Sequence, residues 1–494
     1  MKRTVQQAHA PSPAGEIERL LDGLKARHPG ASGVRLVQDG LDAFALRTAS
    51  ARSAERTLDI QCYIWRSDAT GGLLAHDLLE AADRGVHVRV LLDDMDARSR
   101  DSLLLTANRH PRLEIRLFNP FATRSGVWRT ILEVFARGSR LNRRMHNKAW
   151  IVDGQLAIVG GRNVGDEYFA ASAEMNFVDL DILLIGPVVE EAVRNFEQYW
   201  NSEAAVPIGR LRRKGPRRYT MRNLRRRLKE AILPLRMRRE YASHVHEIPP
   251  LGKLIGDGSS FDWSDDVRIV ADDPRKASGE EVQLPPGVDD SMLDAFSSAR
   301  RELLLISPYF VPGAGGTAIL RALVRRGVAV SVLTNSLAAT DVAAVHSGYV
   351  RYREKLLAGG VRLYELKPSI KPFGHLRRLH VGSSRASLHT KAALVDRERV
   401  FVGSFNLDPR SAALNCEMGV WVRSSRLAEQ MLAAFKAAAR PQNSFEVTLD
   451  ARGSTRWREH HRGKTRWHTR DPQASWWRRL MTWLLALIPI ESQL

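Results

Sequence analysis

The octapeptide HNKAWIVD at residues 146–153 returns as HTKAALVD at residues 389–396. Both copies have a histidine, any residue, a lysine, four residues and an aspartate. Each copy is followed by a glycine and an asparagine, within GGRN at 160–163 and GSFN at 403–406. The spacing between equivalent residues is constant across these positions. Two motifs in register indicate an internal duplication in which each half supplies one histidine.

The duplication extends to the secondary structure predicted before each motif. Hydrophobic periodicity predicts a strand, a helix and a strand in each half: 58–65, 72–82 and 87–92, then 302–310, 317–324 and 329–334. This alternation predicts parallel pairing within an α/β layer. The motifs themselves are predicted to lie on strands, 149–152 and 392–395, with hairpin-like returns. A histidine and a lysine two apart on a strand face the same side, which suits a nucleophile beside a phosphate-binding cation.

Composition limits the class of protein. The chain has 494 residues, enough for two ordinary domains. Its net charge of +20 predicts an anionic partner, either nucleic acid or an acidic membrane surface. Cys62 and Cys416 lack metal-site or redox spacing, which predicts two buried thiols in a reducing compartment. Residues 1–13 are polar, and no segment reaches the ~20 apolar residues of a spanning helix, so we expect neither a signal peptide nor a membrane span.

Shifts in composition divide the chain into five parts. We predict a polar N-terminal segment (1–35), a first half (36–205), a basic amphipathic connector (206–260), a second half (261–445) and a basic, tryptophan-rich tail (446–494).

The connector and the tail are the candidates for contact with a membrane. From residue 210 to residue 239, 14 residues are Lys or Arg, while Leu224, Leu228, Ile232 and Leu235 recur near helical spacing. A solvated surface helix and a membrane-facing helix both fit, and the dominance of positive charge favours the membrane. In the tail, tryptophans beside arginines at 476–489 suit either an interfacial helix or a helix docked on the protein itself.

The duplicated residues suit cleavage of a phosphodiester without a metal or cofactor. One histidine attacks phosphorus and forms a phosphohistidine, while the other protonates the leaving oxygen. Lysine and asparagine side chains hold the phosphoryl oxygens. The candidates are His146, Lys148 and Asn163 in the first half and His389, Lys391 and Asn406 in the second.

Each histidine also needs a carboxylate on its other ring nitrogen. Asp179 and Glu417 lie at similar distances downstream of His146 and His389, respectively, so we predict one orienting carboxylate within each half. Asp181 is the alternative to Asp179.

The remaining motif residues have other predicted roles. The motif aspartates, Asp153 and Asp396, lie at an odd spacing from their lysines and so face away from them. This favours a salt bridge or turn cap as their role. The first half has Gly161 where the second has Ser404, and only Ser404 offers a hydroxyl to the phosphate. We therefore expect unequal half-sites.

The duplicated motif resembles that of the phospholipase D superfamily over about residues 40–440. The strings MHNK (145–148), VGGRNVGD (159–166) and LIPIE (487–491) resemble the bacterial cardiolipin synthase C type within it. The resemblance implies two pseudo-symmetric α/β sandwich halves packed face to face, with one shared active site at their interface. It also implies a covalent phosphatidyl-histidine, with His146 as nucleophile and His389 as acid and base.

The leading functional hypothesis is therefore phosphatidyl transfer. The enzyme would make cardiolipin from phosphatidylglycerol and a second lipid, either phosphatidylglycerol or phosphatidylethanolamine. It would act as a peripheral protein at the cytoplasmic face of a bacterial inner membrane. A phospholipase D that uses water as acceptor is the alternative, followed by a nuclease of the same superfamily. Clustering of the basic residues with Trp and Leu argues against nucleic acid. A non-enzymatic basic binding protein would leave the paired motifs unexplained.

Overall fold

The fold is given by a computed structural model that describes residues 15–121, 140–211, 219–237, 248–279, 283–369, 385–461 and 464–487. Strands β1 to β10 are Ser32–Val37, Thr57–Cys62, His87–Asp93, Leu113–Phe118, Ala149–Val152, Leu156–Gly160, Asn176–Val178, Asp181–Ile185, Ala205–Pro207 and Asp262–Ser264. Strands β11 to β21 are Val267–Ala271, Glu302–Ile306, Ala329–Asn335, Arg362–Leu366, Ala386–Leu388, Ala392–Val395, Arg399–Gly403, Met418–Arg423, Ser444–Leu449, Thr455–His461 and Lys464–His468.

Two large mixed sheets carry the same internal strand order. The first runs β10-β1-β8-β6-β5-β2-β3-β4-β9, and the second runs β11-β18-β17-β16-β12-β13-β14-β19-β20-β21. The segment β8-β6-β5-β2-β3-β4 of the first sheet therefore corresponds to β18-β17-β16-β12-β13-β14 of the second. The predicted pair of similar α/β halves is confirmed.

Strand directions also agree with the sequence patterns. β2, β3 and β4 pair in parallel, as do β12, β13 and β14. The predicted returns are antiparallel hairpins, β5 with β6 and β16 with β17. The strands predicted over 58–65 and 302–310 end earlier, at Cys62 and Ile306. In the second half Pro308 lacks the N–H that would continue the ladder.

Helices cover the sheets. Their bounds are Glu16–Lys25, Gly40–Ser53, Ala69–Asp83, Asp94–Ala97, Asp101–Ala107, Val188–Trp200, Ile208–Leu211, Met221–Met237, Leu251–Ile255, Val288–Ser298, Gly313–Arg325, Ala343–Ala358, Pro409–Ala413, Ser425–Ala438 and Trp476–Ala486, with 3-10 turns at Arg98–Arg100 and Pro274–Ala277. Among the described helices, none has the length and apolarity needed to cross a bilayer.

Three boundaries differ from the predicted division. Part of the segment set aside as 1–35 belongs to the first half: Glu16–Lys25 buries Ile17 and Leu21 against it, and β1 joins its sheet. β10, placed in the second half by sequence, pairs with β1 of the first sheet. The tail begins as sheet, because β19 to β21 extend the second sheet's edge. Residues 1–14 and 488–494, including most of the LIPIE string, lie outside the described residues.

The connector helix, Met221–Met237, lies on the first half. Leu224 is buried, and a Cβ at Gly72 would lie 2.8 Å from Cβ of Ala231. Arg225 forms a bidentate ion pair with Asp83 at 2.7 and 2.8 Å. Leu224 and Ala231 therefore face the first half, whereas Leu233 and Arg226 are exposed. The arginines at 212, 213, 217 and 218 lie outside the described residues.

The two halves meet along inner strands and one short shared sheet. β6 and β8 of the first sheet contact β17 and β18 of the second. β7 pairs in parallel with β15, which joins Val178 to Leu388 immediately before Asp179 and His389. A bridge between Met145 and Cys416 makes the equivalent link beside His146. The cysteine prediction is confirmed in that both thiols are buried and free.

Candidate active site

Both motif histidines lie at the junction of the halves, in extended backbone just before β5 and β16. The N–H of His146 donates to the carbonyl of Cys416 at 2.8 Å, and the N–H of His389 donates to that of Val178 at 2.8 Å. Each histidine is therefore bonded to the residue that precedes the carboxylate candidate of the opposite half.

The histidine side chains follow the same crossed arrangement. Nδ1 of His146 donates to Oε2 of Glu417 at 2.8 Å, and Nδ1 of His389 donates to Oδ2 of Asp179 at 2.6 Å. The predicted pairing within each half, Asp179 with His146 and Glu417 with His389, is wrong. The backbone contacts at the junction carry each carboxylate across to the other half's histidine. The alternative, Asp181, instead pairs with Arg47 at 2.9 Å.

Burial and ion pairing control the protonation of these groups. Burial lowers the pKa of His146 to about 4, because desolvation outweighs the favourable charge of Glu417. Burial likewise lowers the pKa of His389. Desolvation opposes ionisation of the two carboxyls, but the paired histidines outweigh it and hold the pKa of Asp179 and of Glu417 below the usual range. These pKa shifts favour charged carboxylates and neutral imidazoles, and Nε2 of His389 lies 3.2 Å from Nζ of Lys391.

Two lysines complete the centre. Nζ of Lys148 donates to the carbonyl of His146 and Nζ of Lys391 to that of His389, each at 2.5 Å. Nζ of Lys391 also lies 2.9 Å from Nδ1 of His389. Burial lowers the pKa of Lys148 to about 7 and that of Lys391 to about 8. A bound anion would stabilise the charged form of both amines.

The two motif asparagines are not equivalent. Oδ1 of Asn163 accepts from the N–H of Ile64 at 3.1 Å, and its Nδ2 donates to the Tyr168 hydroxyl at 2.9 Å. Asn406 is also buried, but its Oδ1 has no hydrogen-bond partner among the described residues. Since the two ends of an amide are assigned from their hydrogen bonds, Asn406 has one end free for a ligand.

Gly161 and Ser404 each adjoin a carboxylate. The Ser404 hydroxyl donates to Oε2 of Glu417 and accepts from the N–H of Met418 at 3.0 Å. The hydroxyl proton is directed at Glu417, and the predicted contact of Ser404 with a phosphate stays a prediction. A Cβ at Gly161 would lie 2.2 Å from Oδ1 of Asp179. The half-sites are thus unequal: Gly161 adjoins the shorter side chain of Asp179, and Ser404 adjoins the longer side chain of Glu417.

The motif aspartates make backbone contacts away from the histidines. Asp153 accepts from the N–H groups of Glu55, Arg56 and Thr57 at 3.0, 2.8 and 2.8 Å, and so holds the start of β2. Asp396 accepts in the same way from the N–H groups of residues 300–302, before β12. Both have positive φ, at 52° and 54°, in the tight turns that follow β5 and β16.

Several neighbours of the site lie outside both motifs. The rings of Tyr63 and Tyr168 make T-shaped contacts with His146 and His389, with centroids 5.0 and 5.2 Å apart. Oδ2 of Asp272 accepts from the N–H of Glu417 at 3.0 Å and fixes its backbone. The described residues contain no group of three or more His, Cys, Asp and Glu placed to hold a metal ion.

Comparisons with known proteins agree with this geometry. The family model described as "Cardiolipin synthase, PLD-like domain" matches residues 48–200 and 292–439. Cardiolipin synthase C of Escherichia coli (strain K12) is 40% identical over 477 residues, covering 95% of this chain and 97% of the relative. Major cardiolipin synthase ClsA of Bacillus subtilis (strain 168) is 25% identical over 406 residues, covering 82% of this chain and 68% of the relative.

A solved structure shares the fold. The phosphatidylserine synthase of Haemophilus influenzae Rd KW20 superposes with a TM-score of 0.56 at 12% identity, covering 87% of this chain and 92% of the other. The family match and the 40% identity over nearly the whole length decide the family. The chain belongs to the cardiolipin synthase family of phospholipase D-type phosphatidyltransferases.

Proposed function

We propose that this enzyme makes cardiolipin from phosphatidylglycerol and a second phospholipid, phosphatidylglycerol or phosphatidylethanolamine, through a covalent phosphohistidine. The observation that carries the proposal is the crossed pairing of His146 with Glu417 and His389 with Asp179. Each imidazole has its Nδ1 bonded to a carboxylate, which reserves Nε2 for chemistry, and in His389 that nitrogen lies 3.2 Å from Nζ of Lys391. One histidine can then attack phosphorus while the other handles the proton.

The two steps are as follows. Nε2 of His146 attacks the phosphorus of the donor lipid and forms a P–N bond. The P–O bond to the headgroup breaks, and Nε2–H of His389 gives its proton to that alcohol. In the second step His389 takes a proton from a glycerol hydroxyl of phosphatidylglycerol. The resulting alkoxide attacks phosphorus, forms cardiolipin and releases His146. The roles of the two histidines follow the superfamily resemblance.

Charge balance in the site supports one neutral and one protonated histidine. Asp179 and Glu417 contribute two negative charges, and Lys148 and Lys391 contribute two positive charges when protonated. A phosphodiester adds one further negative charge. One imidazolium then neutralises the set, so substrate binding favours uptake of one proton by a histidine. The free end of Asn406 offers a further polar contact to the phosphoryl group.

Burial supports transfer to an alcohol in preference to hydrolysis. The histidines, lysines and carboxylates are all less than a tenth exposed, and a site from which water is excluded protects a reactive intermediate. The two relatives above are both cardiolipin synthases by name. Because the substrates are lipids, we infer that the enzyme works as a peripheral protein at the cytoplasmic face of the bacterial inner membrane.

The test supplies purified enzyme with phosphatidylglycerol vesicles, with and without phosphatidylethanolamine, and identifies products by mass spectrometry. We expect cardiolipin. Phosphatidic acid alone would indicate a phospholipase D, and DNA cleavage without lipid turnover would indicate a nuclease.

Three variants test the roles of the histidines. His146→Ala and His389→Ala should each abolish turnover, while the matched control His76→Ala, on the helix Ala69–Asp83, should keep it. A phosphatidyl adduct trapped after rapid quenching should map to His146. An adduct on His389 would reverse the assigned roles, and full activity in either alanine variant would refute the mechanism.

A further inference from the structure

The last described helix, Trp476–Ala486, has its apolar side facing solvent. Trp476, Trp483 and Leu487, the residue that ends the helix, are 70%, 60% and 65% exposed. At 100° per residue the exposed large apolar residues occupy one continuous face about 120° wide. This apolar face consists of Trp476, Trp477, Leu480, Trp483, Leu484 and Leu487.

The opposite side of the helix is anchored to the protein and combines Arg478 and Thr482 with the partly buried Leu485. Thr482 is buried there. Arg478 donates to the carbonyl of Thr340 at 2.5 Å, and Arg479 donates to that of Asp471 at 2.8 Å. Arg351, from the helix Ala343–Ala358, donates to the carbonyl of Ala486 at 3.0 Å. A surface helix normally buries its apolar side, whereas this helix leaves most of its large apolar residues exposed as a face to be covered.

Positive charge lies on the helix itself, at Arg478 and Arg479, and on the strand that precedes it in the chain. Asp471, which accepts from Arg479, lies three residues after the edge strand β21. Lys464, Arg466 and Trp467 are exposed on that strand, and the chain has a net charge of +20. Tryptophan beside cations is the composition of protein segments that sit at the interface of an anionic bilayer.

The anchored side of the helix is linked through the chain to the catalytic junction. Thr340, which accepts from Arg478, precedes Asp341, whose carboxylate accepts from the hydroxyl of Tyr309 at 2.8 Å. Five residues before Thr340, the side chain of Asn335 bonds both the N–H and the carbonyl of Leu388, each at 2.9 Å. Leu388 directly precedes His389. A membrane surface that binds the helix would therefore lie on the His389 side of the active site.

We propose that the apolar face of the helix Trp476–Ala486 inserts into the interface of an anionic phospholipid bilayer and holds the His389 side of the active site at the membrane. This extends the proposed function, since it states how a peripheral enzyme reaches lipid substrates. A second copy of the chain is the other possible occupant. Three tryptophans and the adjacent cations favour the bilayer, because tryptophan suits the interface between headgroups and acyl chains and the cations attract anionic headgroups.

The first experiment measures flotation with vesicles, with every protein carrying His146→Ala so that no lipid is turned over. Vesicles of phosphatidylcholine alone and of phosphatidylcholine with phosphatidylglycerol are compared at low and high salt. The test variant is Trp476→Gln with Trp483→Gln, and the matched control is Leu293→Gln, an exposed leucine on the helix Val288–Ser298. We expect the double variant to bind phosphatidylglycerol vesicles at least about tenfold more weakly, because insertion strength scales with buried apolar area. The control should stay within about twofold.

Two further measurements separate the possible outcomes. Light scattering reports the oligomeric state. If the wild type is a dimer, the double variant is a monomer and vesicle binding is unchanged, the apolar face binds a second copy of the chain and the proposal is overturned. Turnover of detergent-dispersed phosphatidylglycerol should stay within about twofold in the double variant, whereas turnover on vesicles should fall about as far as binding does. Unchanged vesicle binding would also overturn it. Vesicle binding without any cardiolipin formation would leave the docking surface intact and refute only the proposed function.

Discussion

Replacement of Gly161 by serine would place the second half's residue into the first half-site. The added Cβ would lie 2.2 Å from Oδ1 and 2.9 Å from Cγ of Asp179, where ordinary contacts begin at 3.4 Å. The carboxylate must move, and it is the group that accepts from Nδ1 of His389 at 2.6 Å. The substitution therefore acts on His389 without changing any residue that touches substrate.

The expected loss is large because both partners are buried. Breaking a buried charged pair costs about 3–5 kcal/mol. Carried fully into the transition state, this is a fall in kcat of roughly two to four powers of ten. Gly161→Ala should show a similar loss, since the Cβ and not the hydroxyl causes the clash. Gly315→Ser is the matched control, because a Cβ there would meet nothing within 4 Å.

Rescue provides the sharper test. Combining Gly161→Ser with Asp179→Glu reproduces the pair found in the second half, where the Ser404 hydroxyl donates to Glu417. This double variant should recover at least about tenfold in kcat over Gly161→Ser alone, because the restored carboxylate contact returns part of the pair energy. Cardiolipin formation is measured beside thermal unfolding, which separates catalytic loss from misfolding. Wild-type kcat in Gly161→Ser, or no rescue in the double variant, would refute this account.

Three further predictions concern stability, pH and thiol reactivity. Asp153→Ala should lower the free energy of unfolding, measured in urea, by about 2–3 kcal/mol, because three backbone N–H groups lose their acceptor. Asp396→Ala should cost less, because the N–H groups of residues 300 and 301 that it releases are exposed to water. Equal losses in the two variants would contradict this reasoning. As pH rises through about 7 and about 8, Lys148 and Lys391 of the free enzyme lose their charge, so kcat/KM should fall. At saturating substrate the bound phosphate keeps the lysines charged, so the fall in kcat should occur at higher pH. A rate that stays level to high alkaline pH would refute this prediction. Both buried cysteines, whose pKa burial raises to about 11 and about 12, should resist alkylation in the native protein and react after unfolding, as mass spectrometry would show.

The sequence by itself determined the duplication, the order of strands and helices that surrounds each motif, and the types of residue at the site. These features depend on local periodicity: Ala149–Val152 and Ala392–Val395 are short apolar runs that end in a turn at aspartate, and they are strands with the predicted bounds. The parallel strands likewise followed from the alternation of strand and helix patterns.

Only the tertiary structure decided which groups face each other. The pairing of His146 with Glu417 joins the two halves at their junction, and the bond from Ser404 to that carboxylate joins the end of β17 to the start of β18. The number of residues between a histidine and a later carboxylate does not indicate which half's histidine that carboxylate contacts. The same holds for Trp476–Ala486, whose composition is amphipathic but whose exposed side depends on the anchoring of Arg478 and Arg479 to distant carbonyls.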